Sequence, residues 1–388
     1  MSVRGAPRSL KVTVEAGEYG RTNTWVSIPV AAGLERYHWS KGGPKKFWAQ
    51  VDGTNATFYI PALAKGAVTN LPLNPSLQPW AGLETVRAGS KLACSTVNSA
   101  EGKATTLFEY QPEPGAFPRE DIKELFRRGG YLHPIRTLSG RVITDDFPPN
   151  HVHHHGVWWA WTSTEFDGRK PDFWNMGQGK GRVDFVTLES QWSGPLHGGF
   201  ESRHRFVDMT GPKQVAALDE NWKVTAYKPW AKDYWCFDLV SEQRCAGTNG
   251  LKLPKYHYGG LGLRGNWAWN GAGKGNILTA EGETDRVKAH AQKSRWFDMW
   301  GKIDGADCGI AVLCHPSNFR APQPMRVHPN EPFFCYAPQQ GGDMEIKPGD
   351  TYVSRYRFVV HDGPPDRNEL ERLWNDYAHP PVVRVRVE

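Results

Sequence analysis

No stretch of this 388-residue chain approaches the roughly 18–20 consecutive apolar residues needed to cross a bilayer, so a helical membrane protein is excluded. Its six cysteines, Cys94, Cys236, Cys245, Cys308, Cys314 and Cys335, form no CxxC pair. A local thiolate zinc site or redox pair is therefore not expected, and buried free thiols are. GxxxxGK[ST], GxSxG and HExxH are all missing, which removes the phosphate-cradling loop, the nucleophile elbow and the helical zinc site. No nucleotide cofactor is expected. The net charge of +6 comes from scattered Lys and Arg without a long basic run, so nucleic acid is not an expected partner. Met1–Leu10 carries Arg4 and Arg8 with no apolar core behind them, so no intact signal peptide is expected. That leaves a cytoplasmic protein and an extracytoplasmic one whose leader has been removed both open. No internal repeat or low-complexity segment occurs, and the oligomeric state is left open.

What the chain does have is turns and aromatics: 41 Gly, 29 Pro, 17 Trp, 13 Tyr and 17 Phe. Short alternating runs recur throughout. Leu10, Val12 and Val14 share one face, as do Val26, Ile28 and Val30, and later Trp222, Val224 and Ala226. Period-two patterning punctuated by Gly, Asn and Pro predicts an all-β fold, a large antiparallel β-sandwich. Residues 1–115 are expected to form a smaller N-terminal β-sandwich unit, 116–130 a helical linker, 131–363 the main sandwich, and 364–388 a C-terminal helix and tail. The linker helix rests on Ile122, Leu125 and Phe126 at helical spacing before Gly129. The C-terminal helix rests on Leu370, Leu373, Trp374 and Tyr377 at i, i+3, i+4 and i+7, with Asp366 as its cap.

The segment Tyr131–Trp161 reads YLHPIRTLSGRVITDDFPPNHVHHHGVWWAW and concentrates the chemistry. Four of the 14 histidines are His151, His153, His154 and His155, with His133 one hairpin earlier. Imidazole titrates near neutrality and ligates zinc, copper, nickel or iron. In an extended chain His151, His153 and His155 point one way and His154 the other, so the box reads as a direct acid–base and hydroxyl-binding site, as a divalent-metal site, or as a surface tract with neither role. Trp158, Trp159 and Trp161 follow it, and core packing explains most such rings. Asp145 and Asp146 precede the box, and Asp172 beside Trp174 in PDFW is the carboxylate most suited to a hydroxyl contact.

Two further constellations stand out. Tyr256–Arg264, YHYGGLGLR, offers His257, Tyr258 and Arg264 around two glycines that fit either a ligand approach or a bulged core strand. His315, in HPSN at the end of an apolar strand, is positioned as loop residues with function often are.

These segments, together with DFWN, HPSNFRAPQPMRVHPNEPFF and GDTYVSRYRFVVHDG, resemble a bacterial family catalogued as methane oxygenase PmoA, across nearly the whole chain. The chain is also loosely similar to the aldose-1-epimerase (galactose mutarotase) superfamily, which implies a mutarotase-like supersandwich with a sugar cleft. A membrane methane monooxygenase subunit needs spanning helices, so the resemblance implies instead a soluble protein of carbohydrate metabolism. Its box maps onto His133, His151, His154 and His155, with Trp158 after it. The family pattern has Arg where this chain has His155 and Asp where it has Asn150. The expected function is a carbohydrate-active enzyme, a glycoside hydrolase or a lyase acting on a glycoside or keto-glycoside. His154, His257 and Asp172 are the expected acid–base groups. Trp158, Trp174, Tyr258, Arg264 and His315 are expected to hold the sugar, and His133, His151, His153 and His155 a possible divalent metal ion. Mutarotation and non-catalytic sugar binding are the alternatives.

Overall fold

The computed structural model describes residues 9–30, 38–41, 47–76, 82–98 and 103–387; Arg4 and Arg8 lie outside them. The expected all-β fold is observed, in three large antiparallel sheets. The first has seven strands, from Arg21–Pro29 at one edge to Val382–Val387 at the other. The second and third have eight strands each and stack face to face around the principal core.

The inter-sheet core is largely aromatic. Phe297 of the third sheet stacks on Phe334 of the second at 4.0 Å, and Trp159 meets Tyr356 at 5.9 Å. Such rings are among the largest apolar surfaces a side chain can remove from water, which is why a β-rich chain of this length carries so many. A polar chain also runs between the sheets. Tyr110 Oη lies 2.7 Å from His204 Nε2, and His204 Nδ1 lies 3.2 Å from Glu220 Oε2. Ser241 and Gln243 donate to Glu220 Oε1, and Trp161 donates to Gln243. Glu220 is 1% exposed, so these partners are its substitute for water.

The first sheet packs on the outside of the third. Trp25 stacks on Tyr227 at 5.2 Å, and Gln50 Oε1 accepts from the amides of Leu196 and His197. The C-terminal helix, Arg367–Ala378, forms as its period requires, and Asp366 caps it by accepting from the amides of Asn368 and Glu369. Its Asp376 binds Arg21 at 2.9 Å, and the chain then returns to pair Val382–Val387 with Leu10–Glu15.

Two expectations about organisation change. The strands Leu83–Ala88, Lys91–Asn98 and Lys103–Gln111 were grouped with the N-terminal unit up to residue 115. They pair instead into the second sheet, and Lys103–Gln111 lies directly against Tyr131–Ile135. Alternation alone does not say which sheet a strand joins. The linker helix is reduced to a three-residue turn, Glu124–Phe126, with extended backbone on both sides and no side-chain cap. Arg128 is drawn into the interior, where it donates to the Trp159 carbonyl at 2.6 Å, and a continued helix would not deliver it there.

Burial pushes the Glu220 carboxyl up, but its contacts with His204, Ser241 and Gln243 outweigh that and hold it below the ordinary 4.5. Its contribution to stability is therefore complete above about pH 4.5 and lost as pH falls through the lowered folded value. Glu220→Ala, which strands His204 inside the sandwich, is expected to cost about 3–5 kcal/mol in urea unfolding at neutral pH, with the deficit shrinking in acid. An unchanged midpoint would contradict the role given to this chain.

Candidate functional site

The site lies on the outer face of the second sheet, at one end of its strands Val157–Ala160, Gly260–Arg264 and Phe333–Tyr336. Pairing register and alternation place Trp158 and Gly262 on this face, and Arg264 opposite Phe333 one row further on. The Trp158 indole lies flat over Gly262, where a Cβ would sit 2.8 Å from the ring. Glycine here makes room for the tryptophan. Gly156 has a similar role: a Cβ there would meet the Leu132 carbonyl at 2.3 Å, so the box can enter its strand only through glycine.

The histidine box is not extended. Its backbone turns, with the His151 amide donating to Pro148 O, the His154 amide to His151 O, and the Phe147 amide to His154 O. The turn overrides the alternation expected from HxHxH. His151 stacks on His154 at 4.7 Å, and His153 sits edge-on to His154 at 4.6 Å. His154 itself is 2% exposed, packed against Trp158 and Phe333. His155 turns away, its Nδ1 2.6 Å from Asp146 Oδ1 and its ring stacked on Tyr131.

The centre of the cluster is a carboxylate that the sequence reading did not single out. Glu331 Oε2 lies 2.7 Å from Arg264 Nη1 and 2.9 Å from His151 Nδ1, and His328 Nε2 lies 3.9 Å from Glu331 Oε1. Burial pushes the Glu331 carboxyl up, but His151 and Arg264 outweigh it and bring it down to about 2. Arg264 is fully buried and also reaches Asn150 and Asn270. His328 Nδ1 accepts from the amides of Asn330 and Glu331, which assigns its proton to Nε2. The side chains of His151, His328 and Glu331 are 30%, 22% and 14% exposed, so these are the groups a ligand can touch. The spacing His328-Pro329-Asn330-Glu331 was readable, but nothing in it tied those residues to a box some 180 positions away.

Other expected site residues are placed differently. Trp158 and Trp174 are 0% and 1% exposed, so they form the packed floor under the cluster and present no open stacking surface. Asp172 accepts from the amides of Trp174 and Asn175 and from the Asn175 side chain, which occupies it in a local turn rather than with a hydroxyl ligand. Tyr258 donates to Asn175 Oδ1 and packs on Trp174 at 5.5 Å, at the border of the floor. Arg264 anchors Glu331 rather than reaching outward. His257 lines a neighbouring cavity. His315 is bonded to Ser317 and packs on Tyr377 of the C-terminal helix, in other surroundings.

The four imidazoles expected at a metal are not brought together. His155 is held by Asp146, and His133 Nδ1 lies against Thr144 Oγ1, whose oxygen also accepts from the Ile135 amide. Among the described residues, no three His, Cys, Asp or Glu side chains converge as a metal-binding group.

Burial, reinforced by the neighbouring imidazoles, pushes His153 down to about 3 and His154 well below its ordinary value. Both are therefore neutral around neutrality. Their ring signals in histidine-labelled spectra are expected not to titrate between about pH 5 and pH 8. A midpoint near that of free imidazole for His154 would contradict the packing described.

Residues 96–375 match the model of a family described as a family of unknown function (DUF6807). No curated protein matches. Among solved structures, an alpha-mannosidase from Enterococcus faecalis V583 aligns with 98% of this chain and 46% of its own, at 9% identity and TM-score 0.43. A GH36 alpha-galactosidase from Geobacillus stearothermophilus aligns with 72% of this chain and 41% of its own, at 11% identity and TM-score 0.27. A galactose mutarotase related enzyme from Lactobacillus acidophilus aligns over 72% and 97%, at 9% identity and TM-score 0.26. The chain thus spans less than half the length of the first two. None of these matches carries the methane-oxygenase description.

Proposed function

Because the chain belongs to a family of unknown function, DUF6807, its role has to be read from the site, and we propose that it is a carbohydrate-active enzyme whose working pair is His151 and Glu331. The observation that carries this reading is the partly exposed His151–Glu331 contact at 2.9 Å, backed by buried Arg264. An imidazole against a carboxylate is an arrangement suited to proton transfer. Glu331, held down to about 2, stays ionised and does not supply the proton itself.

The sugar assignment rests on the mixture around this pair. His153, His328 and Asn150 bring hydrogen-bonding groups, and Phe333 packs against His154 in the same cluster. Polar groups beside an aromatic face suit a pyranose, which has hydroxyl edges and C–H faces. Glycoside hydrolysis by two carboxylates is not the favoured chemistry, since Asp146 holds His155, Asp172 holds a turn, and Asp145, which accepts from the Asp146 amide, makes no ion pair with His151 among the described residues. Proton abstraction by His151 from a sugar carbon next to a carbonyl fits better. The electron pair left behind expels the oxygen on the neighbouring carbon, and that oxygen takes up a proton as it departs. Reprotonation of the carbon instead gives epimerisation.

Two measurements check this reading. Against a panel of glycosides and keto-glycosides, His151→Ala is expected to lower kcat about 10²–10⁴-fold while changing affinity only a few-fold. Lost affinity without any turnover in the parent protein would make this a binding protein. Elemental analysis after reconstitution with divalent ions is expected to show no stoichiometric metal. Bound metal that disappears in His151→Ala would require a rearranged, metal-holding cluster.

A further inference from the structure

Beside the cluster is a second concavity whose charge is one-sided. A cavity of about 570 Å³ opens between the Lys255–His257 segment, the His290–Lys293 turn and Gln340. Lys255 and Lys293 line it with exposed side chains, and neither is in an ion pair among the described residues. Asp343 accepts from the Lys255 amide at 2.7 Å and does not line the cavity, and no Asp or Glu among the described residues does.

A third cation stands behind these two. Arg326 occupies the edge strand Met325–Val327, where it pairs with Cys335, which pairs in turn with Gly262, the glycine under Trp158. Alternation therefore puts Arg326 on the outer face that carries the histidine cluster. It too has no ion-pair partner among the described residues, and its buried Nε has no hydrogen-bond partner there. His257 and His290 both sit low, through burial first and through the Arg326 charge second, which marks how close the three groups are. Unpaired cations around a concavity raise the local concentration of anions and favour a negatively charged ligand.

The cavity and the cluster share a wall. Tyr256, His257 and Tyr258 pack ring against ring, with centroids 4.4–5.0 Å apart, and Tyr258 continues onto Trp174 in the floor of the cluster. A ligand spanning both would have its reacting carbon at His151 and its far end among the lysines.

We propose that the substrate is an acidic saccharide, one whose carboxylate or ester-linked anion sits in the cavity between Lys255 and Lys293, with the charge of Arg326 behind them, while its reacting sugar lies at His151 and Glu331. This rests on the reading of the cluster as a sugar site. The cavity itself adds charge recognition and contributes no chemistry.

The test compares ligands of one size and different charge by calorimetry: a neutral disaccharide, its uronate counterpart and its phosphorylated counterpart. Each is measured against the parent protein and a Lys255→Ala/Lys293→Ala double variant. Both lysines are exposed, so the variant is expected to fold. The parent should bind the anionic forms about tenfold more tightly than the neutral one at low salt, with the advantage fading as salt rises. The double variant should lose that advantage and keep its affinity for the neutral ligand. Preference for the uronate identifies a carboxylate, and preference for the phosphorylated form identifies a phosphate. Equal affinities in the parent, or an advantage that survives the double variant, would overturn the proposal while leaving the sugar reading intact. Absence of binding by all three would overturn both.

Discussion

The buried guanidinium of Arg264 is the constraint around which the site is arranged. A cation with no exposed surface, on the last residue of a central strand, requires a carboxylate, and Glu331 supplies it at 2.7 Å. Glu331 reaches that position because the Gly265 amide binds Pro332 O and the Gly271 amide binds Asn330 O, which tie the two loops together. Once fixed and ionised, the same carboxylate lies 2.9 Å from His151 Nδ1. The histidine box then completes the cluster by turning back so that His151 covers His154. Each part of the site follows from satisfying one charge in a place that water cannot reach.

A similar logic runs through the sandwich interior. Glu220 sits between the two sheets with His204, Ser241 and Gln243 around it, and Trp161 links this chain to the strand that also carries Trp158. The strand Val157–Ala160 is buried along its whole length because both of its faces are covered. Trp159 packs inward on Tyr356, and Trp158 packs outward under the cluster. The aromatic richness of WWAW is thus structural on one side and lays the floor of a site on the other. This division of labour gives the loops that carry the histidine box and Glu331 a rigid strand floor to close over.

Much of the fold was legible because strand patterning and the C-terminal helix are local signals. Leu370, Leu373, Trp374 and Tyr377 need only their own period to declare a helix. The assignment of the strands Leu83–Ala88, Lys91–Asn98 and Lys103–Gln111 to the second sheet was not legible, because pairing between distant strands leaves no trace in alternation. At the site, the histidine box was visible as composition, but its geometry was not. The proline and glycine positions flanking it, Pro148, Pro149 and Gly156, are what turn it, and the HxHxH reading presumed an extended chain. Glu331 and His328 were hidden for another reason: only the closing of two loops brings them to residues far away in sequence. Trp158 and Trp174, expected as a platform that holds the sugar, are covered instead, since a sequence shows which residues are neighbours more readily than which are buried.

The most direct test of the central claim is to map where a sugar lands. Histidine-labelled spectra recorded with and without a saturating saccharide should show shifts at His151, His153 and His328, with His197 and His315 unmoved. Shifts at His197 or His315, or no shift at any histidine under conditions where the saccharide is bound, would contradict the assignment of the cluster as the working site.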